Sequence, residues 1–124
     1  MKEALLVFLG GGVGSLCRYS ISLLFLRNST WQFSATASTV TANLLSCVIL
    51  MLVWIGIDTG KLDPSLKFLI LVGFCGGFST FSTFSFETFQ LLRQGLIWVA
   101  VLNVLISVLA CLGVLWVVFK TQNG

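Results

Sequence analysis

Residues 73–87 read GFCGGFSTFSTFSFE, and the architecture of the chain follows from this run. Its glycine pair, Gly76-Gly77, disfavours a continuous helix. Phe78, Phe81 and Phe84 then recur every three residues, and hydroxyl side chains fill the gaps between them. A hydrophobic core explains a row of phenylalanines but does not need hydroxyls at the neighbouring positions. The stretch therefore predicts a helix that is interrupted near its centre and that lines a polar surface.

This stretch lies in the third of four apolar segments that are each long enough to cross a membrane. A transmembrane helix needs about 20 predominantly apolar residues, and the segments cover residues 4–26, 33–57, 66–92 and 96–119. The short polar connections between them leave no room for a water-soluble domain. We predict an all-α membrane protein in which residues 1–124 form a single domain of four transmembrane helices, the third broken at mid-membrane.

The composition excludes most classes of enzyme and of nucleic-acid-binding protein. Of the 124 residues, 57% are hydrophobic and only 9% are charged, whereas an average soluble domain is about 25% charged. The chain has no histidine, which removes the usual general base near neutral pH and Ser-His-Asp chemistry. Its lysines and arginines fall singly rather than in a basic patch. We expect no catalytic activity, no organic cofactor and no nucleic-acid partner in a multi-pass protein of the cell membrane.

The small residues of the spans are interpreted as packing elements. Gly10 and Gly14 share one face of the first span, which lets a neighbouring backbone approach closely. Each cysteine lies alone in an apolar run, without the spacing typical of zinc or redox sites. We interpret the four as small buried hydrophobes, at Cys17, Cys47, Cys75 and Cys111.

Polar side chains within the spans are costly in hydrocarbon and usually face a bundle interior, a cavity or a pathway. Two narrow tracks share one helix face each: Thr39, Asn43 and Ser46 on the second span, and Asn103, Ser107 and Cys111 on the fourth. The Asn43 amide has two donors and an acceptor, so it either joins helices or lines a pore. Arg18 is either an interfacial anchor or part of an electropositive pore entrance that attracts anions. Glu87, an acidic residue within a span, requires a hydrogen-bond partner or a water-filled cavity.

The aromatic and amide groups together favour a path for a small anion. A phenylalanine ring has a positive edge, which attracts an anion without offering a strong fixed charge. A permeating ion must bind well enough to enter and weakly enough to leave. Ring edges from the row of Phe78, Phe81 and Phe84, together with the N–H donors of Asn43, fit that requirement.

Positive charge along the chain gives only a weak orientation signal. One side of the membrane holds Lys2, Lys61, Lys67 and Lys120, and the other holds Arg27 and Arg93, with Arg18 at depth. Under the positive-inside rule this bias permits insertion in both orientations. The arrangement is then either an antiparallel dimer of identical chains or a pair with a paralogous chain of opposite orientation.

Over nearly its whole length, the chain resembles the Fluc/CrcB family of fluoride channels. The most diagnostic similarity is the run at residues 73–85. The GGVG sequence at residues 11–14, followed by Arg18-Tyr19, resembles the glycine-then-arginine signature of the family. Thr39 and Asn43 fit its pattern in the second span.

This resemblance implies a passive, fluoride-selective channel that exports cytosolic fluoride and lowers its toxicity. It implies an antiparallel, dual-topology dimer with two pores, whose partners are fluoride, the lipid bilayer and a second chain. A structural Na+ would lie at the dimer centre, bound by the backbone carbonyls of Gly76 and Ser79.

The resemblance also assigns roles to individual positions. Residues of the fluoride path are Asn43, Phe81, Thr83, Phe84, Asn103 and Ser107. Arg18 corresponds to the arginine near a pore entrance, and Thr39, Glu87 and Cys111 belong to the polar track. Cys111 stands where the family commonly has serine.

The alternative is a small multidrug-type exporter coupled to protons, which also has four spans and dual topology. That mechanism needs a buried carboxylate, generally in the first span. Here Glu3 lies at the membrane edge and only Glu87 lies within a span.

Overall fold

The computed structural model describes all 124 residues and contains helices but no strands. Four helical segments are long and apolar enough to cross a membrane: Lys2–Asn28, Ser34–Asp58, Lys67–Arg93 and Ile97–Asn123. Each begins and ends within four residues of the segment expected from the sequence. The prediction of an all-α protein with four spanning helices is confirmed.

The third span consists of two helical pieces. We number the elements α1 (Lys2–Asn28), α2 (Ser34–Asp58), α3, α4 (Phe81–Arg93) and α5 (Ile97–Asn123). Element α3 begins as a π-helix, Lys67–Phe74, and continues without interruption into the α-helical turn Cys75–Phe78.

The interruption between α3 and α4 lies at Ser79 and Thr80, at the centre of the third span. Both residues are extended, with ψ of 157° at Ser79 and 120° at Thr80. The Thr80 hydroxyl accepts a hydrogen bond from the Thr83 N–H at 3.2 Å and so caps the start of α4. The break expected after the glycine pair is therefore present, and a hydroxyl from the same stretch supports it.

Glycines on both helices bring α1 and α3 into backbone contact. A Cβ at Gly10 would lie within 3.0 Å of backbone atoms of Leu69 and Phe74, and one at Gly14 equally close to the backbone of Phe74 and Phe78. On the facing side, a Cβ at Gly77 would collide with the Gly11 carbonyl. The interpretation of the first-span glycines as packing residues is confirmed.

The loop between α2 and α3 is organised by Asp63. Its Oδ1 accepts a hydrogen bond from the Ser65 N–H at 2.7 Å. Hydrogen bonds from the Ser65 side chain and backbone lower the pKa of the exposed Asp63 carboxyl below its ordinary value. The turn fixes the chain just before the π-helical segment begins.

Very little of the single chain is buried. Only 14 of the 124 residues are buried, and none of the large side chains is fully enclosed. The outer surface is rich in large apolar groups such as Phe8, Leu109 and Trp116. Such a surface suits lipid or another membrane helix, because hydrocarbon tails are as apolar as these side chains.

Candidate functional site

A cavity of about 300 Å³ opens beside the helix break, between α2, α4 and α5. Its walls contain six of the side chains predicted to belong to a path or polar track: Asn43, Ser46, Phe81, Phe84, Ser107 and Cys111. The backbone break itself contributes Ser79 and Thr80 to the lining. The fold thus brings together residues that are distant in the sequence. Asn43 and Cys111, for example, are 68 positions apart.

Asn43 is held in a defined orientation by the broken backbone. The Thr80 N–H donates a hydrogen bond to Asn43 Oδ1 at 2.9 Å. A backbone N–H can only donate, so the amide atom beside it must be the oxygen. The Asn43 Nδ2 group has no protein acceptor and remains available beside the cavity. Asn43 therefore joins α2 to the break in the third span and has free N–H donors beside the cavity, whereas a role in lining a pore stays a prediction.

Phe81 and Phe84 form a tilted aromatic pair on the wall of the cavity. Their ring centroids are 6.0 Å apart and their planes meet at 42°. Phe84 is half-buried, whereas Phe81 is 80% exposed on the single chain. The pair can present ring edges to the cavity, and Phe81 also projects from the surface of the molecule.

Ser107 provides a second free donor in the same cavity. The residue is only 6% exposed, yet its Oγ has no hydrogen-bond partner. A buried hydroxyl without a hydrogen-bond partner costs free energy. A ligand that accepts a hydrogen bond from Ser107 would remove that cost while it is bound. Cys111, one helical turn further along α5, is half-buried beside it.

Glu87, at the middle of α4, and Thr39 form a separate contact. The Thr39 hydroxyl donates to Glu87 Oε1 at 2.8 Å, while Glu87 Oε2 is buried without a partner. A recess of about 210 Å³ adjoins Glu87 and is flanked by Gln90 and Gln94. This pair does not line the main cavity, so the structure divides the predicted polar track into two parts.

Asn103 also lies outside the main cavity, although it is connected to its wall. Its Nδ2 donates to Thr88 Oγ1 at 2.9 Å, and Thr88 in turn donates to the Phe84 carbonyl at 2.8 Å. Asn103 is buried among α2 and α5 residues. In this arrangement Asn103 supports the backbone that carries Phe84.

Arg18 reaches across from α1 to the first turn of α4. Its Nη1 lies 3.4 Å from Thr83 Oγ1, and its buried Nε has no partner. The half-buried guanidinium thus brings positive charge next to the helix break and retains an unused donor.

The break also exposes backbone carbonyls of the kind that bind hard cations. In a continuous helix the Thr80 N–H would bond to the Gly76 carbonyl, but here it bonds to Asn43 instead. Neither Gly76 nor Ser79 receives a backbone hydrogen bond at its carbonyl across the break. Gly76 is exposed, and a Cβ there would meet nothing within 4 Å. Freed carbonyls in broken membrane helices commonly coordinate Na+, so the donor set fits that ion.

Three residues of this region with hydroxyl or thiol groups were not predicted as site residues: Cys47, Thr80 and Thr88. Cys47 lies four residues after Asn43, and Thr88 lies four residues after Phe84, so helical spacing could have indicated both. No spacing signals the bond between Asn43 and Thr80, because 37 positions separate them. The cysteine interpretation needs a correction as well, since only Cys75 is buried and the other three are half-buried.

Comparison with known proteins gives concordant matches over almost the whole chain. The family model described as "CrcB-like protein, Camphor Resistance (CrcB)" matches residues 5–119. The chain is 39% identical over 121 residues, 94% of each chain, to "Fluoride-specific ion channel FluC" of Citrifermentans bemidjiense. It is 40% identical over 121 residues, again 94% of each chain, to the protein of that name from Geobacter sp. strain M21. A Salmonella arizonae protein with the same name is 44% identical over 111 residues, covering 88% of this chain and 84% of its own.

Proposed function

The chain belongs to the CrcB family, and on that premise we propose that it is a fluoride-selective ion channel of the cell membrane. It is a multi-pass membrane protein and not an enzyme. The observation that carries the proposal is the fixed orientation of Asn43, whose oxygen is bound by Thr80 and whose N–H donors are free beside the cavity.

Fluoride entering the cavity would exchange its water shell for weak donors. The Asn43 amide and the Ser107 hydroxyl each supply a hydrogen bond, and the edges of Phe81 and Phe84 supply positive partial charge. None of these groups carries a full charge, so the ion is bound loosely enough to leave. Arg18, next to the break, raises the local anion concentration through its positive charge.

Passive conduction is sufficient to remove fluoride from a cell. Hydrogen fluoride is a weak neutral acid that crosses membranes and then dissociates in a near-neutral cytosol, which traps the anion. A negative-inside potential drives an anion outward by about 2.3 kcal/mol per charge per 100 mV. A selective pore can therefore lower fluoride toxicity without consuming ATP.

We propose that the working unit is an antiparallel dimer with two pores and a central Na+. Two features support a second chain: the 80% exposed ring of Phe81 and the open position at Gly76. The carbonyls of Gly76 and Ser79 would hold the ion, which supplies a fixed positive charge that joins the two chains. The second chain is the same sequence in opposite orientation, or a paralogous chain inserted the other way.

The decisive experiment measures halide efflux from liposomes that contain the purified single chain. We expect fast release of loaded fluoride and retention of loaded chloride. Protein-free liposomes and liposomes carrying an unrelated four-helix membrane protein are the controls. Equal release of both ions, or of neither, would refute the proposed function.

Proton-coupled export is the competing mechanism, and Glu87→Gln separates it from a channel. An exporter needs a carboxylate that exchanges protons, so this change would abolish transport driven by a pH difference. In a channel, net fluoride flux continues to follow the fluoride gradient in the variant. Efflux measured at two pH values, with Gln90→Asn as the matched polar control, distinguishes the two.

A further inference from the structure

Two cysteines from different helices lie in the wall of the main cavity. Cys47 on α2 and Cys111 on α5 both line it and both are half-buried. The helices that carry them pack against each other along the cavity. Cys75 does not line the cavity, because its thiol is directed at the Ser46 carbonyl at 3.7 Å. The cavity therefore has one pair of accessible sulfur atoms.

We propose that Cys47 and Cys111 form a two-ligand binding site for a thiophilic divalent cation, with Hg2+ as the probe, and that the bound ion closes the cavity. The binding site stands on the sulfur pair alone. The closure rests on the proposed function, because it requires that fluoride pass through this cavity.

The chemistry of the pair favours a soft ion with linear coordination. Thiolate sulfur selects soft metals, and a coordinating thiol loses its proton to the solvent. No group of three or more histidine, cysteine, aspartate or glutamate side chains lies together in the structure, so a tetrahedral zinc site has too few ligands. Hg2+ is satisfied by two opposed sulfur atoms.

Charge balance makes the complex compatible with a membrane interior. Neutral HgCl2 enters, two Hg–S bonds form as two Hg–Cl bonds break, and two chloride ions and two protons leave. The product is a neutral bis-thiolate, so no net charge is buried in a region of low dielectric constant. The unpartnered Ser107 hydroxyl in the same wall offers the ion an additional oxygen contact.

The bound ion obstructs fluoride because of where it lies. Cys111 belongs to the predicted polar track, and Asn43 and Phe84 line the same cavity as the sulfur pair. Mercury bound by two sulfur atoms has little affinity for a hard anion such as fluoride. The bound Hg2+ therefore occupies the cavity and blocks the movement of fluoride through it.

The binding site is tested by protection from alkylation, which requires no transport. Purified protein in detergent receives one equivalent of HgCl2 and then a maleimide, and mass spectrometry maps the modified cysteines. We expect Cys47 and Cys111 to be protected together while Cys17, on α1, is still alkylated. Protection of only one of the two, or equal protection of Cys17, would overturn the proposal.

The closure is tested in fluoride-loaded liposomes, with each variant compared with its own mercury-free rate. HgCl2 should remove most of the efflux of the unmodified chain, and a dithiol added afterwards should restore it. Cys47→Ser and Cys111→Ser should each require far more HgCl2, because losing a direct ligand costs more than the about 10- to 100-fold typical of outer-shell partners. Cys17→Ser should remain as sensitive as the unmodified chain.

The two experiments separate failure of the site from failure of the function. Paired protection without any fluoride efflux would leave the metal site standing and remove the channel function. Normal efflux that HgCl2 inhibits equally in Cys47→Ser and Cys111→Ser would leave the channel function and overturn the site.

Discussion

At the scale of single residues, one hydrogen bond decides what the cavity offers to an ion. The Thr80 N–H binds Asn43 Oδ1, and the amide donors are thereby directed away from the break. A carboxylate of the same shape would still accept the Thr80 hydrogen bond. It would, however, replace the free N–H donors by an acceptor with negative charge.

Asn43→Asp should therefore preserve the fold and abolish conduction. Like charges brought together cost several kcal/mol, and each 1.4 kcal/mol is tenfold, so fluoride efflux should fall by about 100-fold or more. Thr41→Val on another face of α2 is the matched control, because the Thr41 hydroxyl bonds only to its own helix at the Ala37 carbonyl. Efflux near the original rate in Asn43→Asp would contradict the assigned role of the amide.

Phe81→Ile and Phe84→Ile test the ring edges separately from the amide. Isoleucine keeps much of the bulk but has no aromatic quadrupole, which is worth about 0.5–1.5 kcal/mol in aromatic contacts. We expect fluoride efflux to fall several-fold, up to about tenfold, in each variant. Phe89→Ile, on the same helix and outside the cavity, should conduct normally. Undiminished flux in both cavity variants would exclude the ring-edge mechanism.

At the scale of elements, the contact between α1 and α3 depends on the absence of side chains. Gly14→Ala places a methyl group against the backbone of Phe74 and Phe78. Overpacking of this kind costs about 1–3 kcal/mol, so the melting temperature in detergent should fall. Gly12→Ala is the control, since a Cβ there meets nothing within 4 Å and alanine is the better helix former. A melting temperature of Gly14→Ala equal to that of Gly12→Ala would contradict the close packing.

The loop before α3 should respond to acid in a defined direction. The folded pKa of Asp63 is lowered from its ordinary 3.8 by hydrogen bonds from Ser65. The stabilisation is therefore present above about pH 4 and is lost as the pH falls through the lowered folded value. An NMR titration of the Asp63 carboxyl in the folded and denatured protein measures the shift directly. A folded pKa at or above 3.8 would show that the turn does not stabilise the carboxylate.

Much of the element structure can be predicted from the sequence because it follows from composition and length. Apolar runs of about 20 residues have few alternatives to spanning helices, and the glycine pair followed by hydroxyls indicated the break. The π-helical geometry of Lys67–Phe74 carries no comparable signal, since an apolar run suits α- and π-helix alike. Helical spacing predicted that Asn43 and Cys111 each belong to a polar helix face. It did not predict that the two faces line one cavity. Their partners, such as Thr80 for Asn43, depend on tertiary packing that spacing along the chain does not encode.

At the scale of the whole molecule, the single chain buries little of its own surface. With 14 of 124 residues buried and freed carbonyls at Ser79 and Gly76, it presents an open surface next to the break. A second copy with Na+ between the chains would cover that surface.

Exchange of sodium for a much larger cation should therefore weaken the dimer. Purification in N-methylglucamine salts in place of sodium salts should shift the protein from dimer to monomer, as measured by light scattering during size exclusion. Return of Na+ should restore the dimer, and Li+ at equal ionic strength controls for salt screening. A dimer that is indifferent to the removal of Na+ would exclude the proposed ion site.

The interrupted third span also constrains how the protein is made. Backbone groups without hydrogen bonds are costly in lipid. The third span is therefore unstable in the bilayer without the helices that satisfy those groups. Synthesis runs from the N-terminus, and α2, which carries Asn43, therefore emerges before Thr80 does. The acceptor on Asn43 is therefore synthesised before the Thr80 donor that it binds. In a rearranged gene that encodes the second span after the third, Thr80 would be synthesised before Asn43. We expect quality-control proteases to degrade more of that nascent product.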